Sequence, residues 1–379
     1  MSTQVDRSNA PVSLTYVPQL DGLRGFAVAL VVIYHCQYLT AGWGPRPFPG
    51  GFIGVDLFFA LSGFLITAGL ISQLDRRGRI NLAEFATRRI RRLVPALVFA
   101  VVGVIALSEL VGNAPKGEAV RNTAIGSLLY VSNWQQAAGW RFVFELTHTW
   151  SLAVEAQFYL VWPLVLIVVS ALRIPRRVFA GILLATVVVV AVHRWRMWTD
   201  PAHFLPLYIR TDTRADVILF GCLGGLAVSW QWLGRAAGRR LRLPAVVALG
   251  LILFVCLDFA TGDSRLYHGW FSIMAVSCAT LVVAAVLDPD WALHRWWRQR
   301  WLIVLGKRSY SLYLWHVPIF LFVAEHLTSW PVWLRLLVGP LSAAALTELS
   351  YRLVENRFRR RRPPSAPIVS PAPAQPGRG

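Results

Sequence analysis

Apolar runs long enough to cross a lipid bilayer as helices recur ten times along the 379-residue chain. Hydrophobic residues make up 56% of the sequence and its mean hydropathy is positive, which is too apolar for a soluble domain of this length. We therefore predict an all-α polytopic membrane protein with about ten transmembrane helices. The predicted spans are residues 20–38, 51–71, 93–111, 150–172, 178–192, 215–232, 243–260, 269–287, 301–323 and 332–353.

The formal net charge of +19 sits in short arginine-rich blocks between these runs, whereas a nucleic-acid binder would gather it on one face or tail. Basic loops are retained on the cytoplasmic side of a membrane. If the weaker apolar stretch at 119–131 also crossed the membrane, an odd number of spans would separate two basic blocks and place them on opposite sides. We therefore interpret this stretch as an interfacial or re-entrant helix on the outer side. With both termini cytoplasmic, the inner blocks are residues 76–92, 173–177, 235–242, 295–308 and 357–362.

The first span carries three ionisable groups, Asp21, Arg24 and His35, on nearly one helix face. Arg24 and His35 are separated by roughly 16 Å along the axis. Such groups are costly in lipid and usually face a bundle interior or a water-filled cavity. The span runs outward, which places Arg24 near the cytoplasm and His35 in the outer half, level with Asp56 of the second span. The alternative is that His35 only ties neighbouring helices together by a hydrogen bond.

Polar groups predicted to face the outer side include Glu155, which lies one helical turn from Ser151 and from Tyr159. A histidine oriented by a carboxylate, here Asp56 or Glu155, is suited to removing a hydroxyl proton. The segment 208–216, YIRTDTRAD, is predicted to be a polar outer loop. The candidate acceptor-binding residues are Trp150, Ser151, Tyr159, Asp212, Arg214 and His316.

On the cytoplasmic side, the segment RRIRRLVP at 88–95 clusters guanidinium groups. Arg89 and Arg92 are spaced three apart on a helix, and arginine forks suit phosphate geometry. The alternative is plain retention of positive charge inside. A phosphate-rich donor inside and a hydroxyl acceptor outside together describe group transfer across a membrane.

Six motifs make the chain resemble the acyltransferase-3 family of integral membrane acyltransferases: LDGLRGFAVALVVIYH, FIGVDLFFALSGFLIT, FATRRIRRLVPAL, HTWSLAVEAQFYLVWP, TDTRAD and GKRSYSLYLWHVPI. The similarity covers residues 17–358. It implies ten helices and transfer of an acyl group, commonly acetyl from acetyl-CoA, to a carbohydrate or other hydroxyl.

The resemblance also implies residue roles. His35 is expected to be the base, and His316, a second candidate, then lines the cavity. No permanently bound cofactor or metal is expected, since acetyl-CoA or another acyl-CoA is the donor substrate and the four cysteines lie in apolar runs. The residues expected to be catalytic are His35, Asp56 and Glu155, and those expected to bind the donor are Arg24, Arg89 and Arg92.

The expected function is a membrane-bound O-acyltransferase, specifically an O-acetyltransferase, that moves an acyl group from cytoplasmic acyl-CoA to a cell-surface carbohydrate or glycolipid. Stand-alone relatives include macrolide acyltransferases, so a macrolide or another small hydroxylated metabolite is the alternative acceptor. A transporter or channel is the alternative of a different class, because buried charges also mark permeation paths. The expected location is a bacterial inner membrane, with the lipid bilayer, acyl-CoA and the acceptor as partners and no nucleic acid.

Three regions are predicted: a cytoplasmic segment at 1–18, the transmembrane acyltransferase domain at 19–358, and a disordered Pro- and Arg-rich tail at 359–379. Many relatives carry a further SGNH hydrolase-like domain, so this protein is expected to act alone or with a separate SGNH-type partner. Glu355 and Arg357 are expected to cap the last helix at the inner surface.

Overall fold

The computed structural model describes residues 16–40, 48–110 and 117–359, and these ranges contain helices and no strand. Residues 1–15 of the predicted N-terminal segment, and the predicted tail beyond residue 359, lie outside the described residues. Ten helices of 17 or more residues follow the ten predicted spans: α1 Pro18–His35, α2 Gly54–Arg77, α3 Leu82–Leu110, α4 Trp150–Ala171, α5 Arg176–Met197, α6 Thr211–Ser229, α7 Arg242–Asp258, α8 Phe271–Leu287, α9 Arg300–His326 and α10 Val332–Ser350.

The prediction of an all-α polytopic membrane protein is confirmed. Membrane crossing by α1, α6, α7 and α9, and the cytoplasmic location of both termini, stay predictions. The stretch predicted to be interfacial forms a helix of 11 residues, Glu118–Leu128, which is too short to span a bilayer. Within the described residues, six helical regions are long and apolar enough to cross a membrane: Gly51–Arg77, Leu82–Leu110, Phe144–Ala171, Arg176–Met197, Leu266–Leu287 and Val332–Phe358.

Two polar segments are helical, one as predicted and one that was predicted to be a loop. The arginine block around Arg89, predicted to lie on a helix that leads into the third span, is part of α3, which begins at Leu82. The predicted loop TDTRAD forms the first turns of α6, where Asp212 occupies the positive end of the helix dipole. Because this segment is helical, Arg214 and Asp216 point into the bundle and are fully buried.

Helices α1 and α9 pack with their backbones in close contact. A Cβ atom on Gly25 would lie 2.2 Å from the carbonyl oxygen of Leu302, and one on Gly306 would lie 1.8 Å from that of Asp21. Close contacts between small residues drive helix association in lipid, where the hydrophobic effect contributes little. This packing sets the register of α1 against α9 and therefore decides which of their polar side chains meet.

Helices α2 and α6 pack in the same way. A Cβ atom on Gly63 would lie 2.2 Å from the carbonyl oxygen of Ile218, and one on Gly221 would lie 2.2 Å from that of Ala60. Helices α5 and α8 also pack against α6. Each of these two closely packed pairs carries buried polar residues.

Candidate active site

A cavity of about 110 Å³ lies between α1, α2, α3, α4 and α9, and Arg24, Arg89 and Arg92 line it. None of these three guanidinium groups forms an ion pair with a carboxylate of the described residues. Arg24 Nη2 donates to Ser309 Oγ at 3.1 Å, and Arg89 Cζ lies 5.2 Å from the centre of the Tyr159 ring. Three half-buried guanidinium groups without a carboxylate partner form a site suited to an anionic ligand.

The same cavity is lined by Glu155, with Ser62, Ser151 and Tyr159 beside it. Ser62 Oγ donates to Glu155 Oε1 at 2.6 Å, and Tyr159 OH donates to Glu155 Oε2 at 2.8 Å. The described partners of Glu155 are these two hydroxyl groups and not His35, and its predicted role in orienting His35 stays a prediction. Glu155 and Tyr159, which were predicted to face the outer side, therefore line the same cavity as the arginines predicted to bind the donor. This is because α4 turns both side chains toward α3.

The cavity ends at a hydrogen-bonded pair that we name the Ser151–Tyr313 septum. Ser151 Oγ and Tyr313 OH are 2.6 Å apart, and Tyr313 OH donates to the backbone oxygen of His148 at 2.9 Å. Both side chains are buried and line the cavity, whereas no histidine lines it. The septum therefore closes the arginine-lined cavity from His35 in this structure.

Beyond the septum, His35 of α1 contacts His316 of α9. His35 Nδ1 lies 2.8 Å from the Val31 carbonyl oxygen and 3.2 Å from His316 Nε2, and His316 Nδ1 lies 3.0 Å from the Leu312 carbonyl oxygen. A carbonyl oxygen only accepts hydrogen bonds, so both Nδ1 atoms carry the proton of a neutral ring. His316 Nε2 then accepts from His35, which leaves His35 Nε2 unprotonated and without a partner among the described residues.

The carboxylate predicted to orient His35 from α2 lies elsewhere. Asp56 Oδ1 accepts from Arg214 Nη2 at 2.6 Å, and both side chains are completely buried. Asp56 contacts Arg214 and not His35 in this structure, and the predicted roles of Asp56 in catalysis and of Arg214 in acceptor binding stay predictions. The orienting contact to His35 comes from His316, which was predicted to line the cavity.

Two further predicted acceptor-binding residues lie away from the cavity. Asp212 is bound by Arg210 Nε at 2.9 Å and lies 3.1 Å from His193 Nε2, at the start of α6. Trp150 packs its ring 5.0 Å from that of Tyr208. Their contacts in this structure are with neighbouring side chains, and their role in acceptor binding stays a prediction.

Sequence reasoning missed the roles of several buried polar residues. His148 is 5% exposed, and its ring centre lies 5.6 Å from that of His316. Its position at the start of HTWSL, the motif that supplies Ser151 and Glu155, was the available signal. Glu355, predicted to cap the last helix, is instead buried and accepts a hydrogen bond from Ser311 Oγ at 2.8 Å. The residues that line the cavity without having been predicted to bind substrate include Ser62, Ser309, Tyr310 and Tyr313.

Comparisons with known proteins agree with the motifs. The O-acetyltransferase OatA of Staphylococcus aureus (strain NCTC 8325 / PS 47) is 35% identical over 368 residues, which cover 91% of this chain and 58% of OatA. A putative O-acetyltransferase of Staphylococcus aureus (strain COL) is 31% identical over 363 residues, which cover 92% of this chain and 58% of that protein. The chain thus spans a little over half the length of these relatives.

No solved structure matches the chain. The family model described as an acyltransferase domain, that of the acyltransferase-3 family, matches residues 17–349, which is nearly all of the described part. The match includes α1 to α9 and therefore every residue of the cavity, the septum and the histidine pair. This chain belongs to the acyltransferase-3 family.

Proposed function

We propose that the protein is a membrane-bound O-acetyltransferase that moves an acetyl group from cytoplasmic acetyl-CoA to a hydroxyl group of a cell-surface carbohydrate or glycolipid. One observation carries the proposal: three arginines without carboxylate partners line a cavity whose closed end abuts the His35–His316 pair. An anion site next to a free imidazole nitrogen fits a phosphate-bearing donor and a base. The transporter alternative has no comparable observation in its favour.

The donor site accounts for the charged part of acyl-CoA. Its phosphate groups cannot enter hydrocarbon unpaired, and Arg24, Arg89 and Arg92 offer guanidinium forks at the cavity. Cavities that enclose a whole drug-sized ligand measure about 300–1,000 Å³. This cavity, at about 110 Å³, has room for a thin chain and not for a nucleotide. The nucleotide therefore stays at the arginines while the pantetheine arm extends inward.

The base is His35. Its Nε2 takes the proton of the acceptor hydroxyl, while the hydrogen bond from Nδ1 to His316 fixes the ring and its tautomer. His316 is suited to orienting and not to proton abstraction, because its Nε2 already accepts that hydrogen bond. The remaining carboxylate of the site, Glu155, holds the hydroxyl groups of Ser62 and Tyr159 in the donor cavity.

Transfer from the donor to the acceptor without an acyl-enzyme requires the Ser151–Tyr313 septum to open, because the septum separates the arginines from His35 in this structure. A donor that binds the open state more tightly shifts the protein toward that state. The competing mechanism is a covalent acyl-enzyme on Ser62 or Ser151, both of which line the cavity. Purified protein incubated with radiolabelled acetyl-CoA without acceptor, then denatured, separates the two: stoichiometric label on the chain contradicts direct transfer.

The relatives are named O-acetyltransferases, which supports transfer of an acetyl group to an oxygen atom. The cell-surface carbohydrate or glycolipid acceptor is part of this proposal. A macrolide or another small hydroxylated metabolite is the alternative acceptor, and an SGNH-type protein acting after this one is a further possible partner. The acceptor is expected to approach from the side of the histidine pair, opposite the arginines.

The test uses protein purified into proteoliposomes with radiolabelled acetyl-CoA, and a cell-envelope glycan fraction as acceptor. We expect label to move to the glycan in the wild type and in Arg242→Lys, a variant in an ion pair with Asp288 outside the cavity. Loss of label transfer is expected in Arg24→Ala. Transfer to a macrolide in place of glycan would change the acceptor class, and release of no CoA from acetyl-CoA under any condition would contradict the proposal.

A further inference from the structure

The imidazole ring of His148 is buried, and neither of its nitrogens forms a hydrogen bond of normal geometry with a described residue. The side chain is 5% exposed. The backbone carbonyl groups of Glu145, Tyr313 and Leu314 are near the ring, yet none is placed to accept a hydrogen bond. A buried polar group without a partner costs about 1–3 kcal/mol, so its retention calls for an explanation.

The position of His148 next to both parts of the site narrows that explanation. Its ring centre lies 5.3 Å from that of Tyr313 in the septum and 5.6 Å from that of His316, and the Tyr313 and His316 ring centres are themselves 5.5 Å apart. A chain that passes the septum toward the histidine pair therefore runs beside the ring of His148.

The other nearby donors are already engaged. Tyr313 has one O–H, which donates to the backbone oxygen of His148, and Ser151 bonds Tyr313 and the same backbone oxygen. The Nδ1–H groups of His35 and His316 point to the carbonyl oxygens of Val31 and Leu312. A neutral imidazole always carries one N–H, so among these three histidines only the ring N–H of His148 lacks an acceptor in normal hydrogen-bond geometry among the described residues.

We propose that the N–H of His148 binds the thioester oxygen of the acyl donor and stabilises the oxyanion that forms on it during transfer. This inference rests on the proposed function. The acceptor oxygen bonds to the thioester carbon while its proton passes to His35 Nε2, and the carbonyl electron pair moves onto the oxygen that faces His148. The pair then returns to form the ester, the carbon–sulfur bond breaks, and the CoA thiolate leaves and takes the proton from His35. Atoms and electrons balance without a further reactant.

The test replaces His148 by two side chains of nearly equal shape. Gln keeps an N–H donor, and Met has none. With acetyl-CoA and the cell-envelope glycan fraction, we expect His148→Met to lower kcat about a hundredfold to a thousandfold, the usual cost of losing one oxyanion donor. The KM for acetyl-CoA should change little, because the arginines bind the donor, and His148→Gln should recover about tenfold of the lost rate. His326→Met, a change at the exposed end of α9, is the matched control.

The outcomes separate this inference from the proposed function. An active wild type together with a His148→Met protein of near-normal kcat overturns the oxyanion role alone. Equal losses in the Met and Gln proteins, with a lowered melting temperature in detergent, overturn it as well and assign His148 to packing. A wild type that releases no CoA from acetyl-CoA overturns the proposed function and this inference with it.

Discussion

Two regions of the molecule bury charge, and they do so differently. Between α2, α5, α6 and α8, every buried carboxylate faces a guanidinium group: Asp56 lies 2.6 Å from Arg214, and Asp216 lies 2.9 Å from Arg194, with all four side chains completely buried. In the cavity between α1, α3, α4 and α9, the three arginines lack a carboxylate partner among the described residues.

The difference teaches how to interpret a charge inside a membrane protein. A charge that is paired and sealed in apolar packing is part of the scaffold, because removing its partner leaves an isolated ion in a low dielectric. A charge that lines a cavity without a partner is available to a ligand. An ionisable residue in a membrane segment is by default interpreted as part of a functional site. The presence of an oppositely charged partner argues for a structural role instead.

The largest expected effect concerns the histidine pair. His35→Ala should lower the rate of acyl transfer about a hundredfold to ten-thousandfold, because it removes the general base. The protein should remain in the membrane and bind acetyl-CoA, since the arginines are untouched. The measurement is initial rate and binding on purified protein. A normal rate in His35→Ala with an inactive His316→Ala would assign the base to His316.

The second prediction tests the paired region. Asp56→Leu should lower the free energy of unfolding by about 3–5 kcal/mol, because Arg214 is left as an uncompensated buried charge. The double variant Asp56→Leu with Arg214→Met should regain most of that stability. Denaturant unfolding in detergent micelles measures both.

The activity of the double variant tests whether the ion pair between Asp56 and Arg214 only stabilises the fold. If the ion pair is scaffold, this protein is stable and transfers acyl groups. A stable double variant that is inactive would return Asp56 or Arg214 to the catalytic site.

The third prediction tests the unpaired region. Arg89→Lys and Arg92→Lys keep the positive charge but lose the planar fork, so the dissociation constant for CoA should rise about tenfold in each, by the loss of a hydrogen bond to a charged group. Isothermal titration with CoA measures this, and Arg242→Lys is the matched control outside the cavity. Unchanged CoA affinity in both variants would leave this arginine block with only a role in membrane topology.

The smallest effect is expected at the septum. Tyr313→Phe removes the hydroxyl group whose hydrogen bond to the His148 backbone oxygen stabilises the closed state by about 0.5–1.5 kcal/mol, while Ser151 can still bond that oxygen. If the donor binds only when the septum opens, apparent CoA affinity should increase up to about tenfold, because less free energy is needed to populate the competent state. Weaker CoA binding in this variant would show that Tyr313 contacts the donor directly and is not a barrier.

The sequence alone determined the class of protein and much of the cavity. Hydropathy and helical period place residues along and around each helix, so the polytopic fold and the shared face of Arg24 and His35 could be predicted. The motif spacing also selected Arg89, Arg92 and Glu155, all of which line the cavity with Arg24.

Only the tertiary structure decided which of these groups meet. Hydropathy fixes the depth of a residue but not the neighbour across a helix interface, and the close packing at glycines such as Gly25 and Gly306 sets that register. Their similar predicted depth in the membrane had suggested that His35 and Asp56 lie in contact. Helix packing instead places His35 against His316 and Asp56 against Arg214. The rotation of α1 against α9, and of α2 against α6, brings those side chains within hydrogen-bond distance.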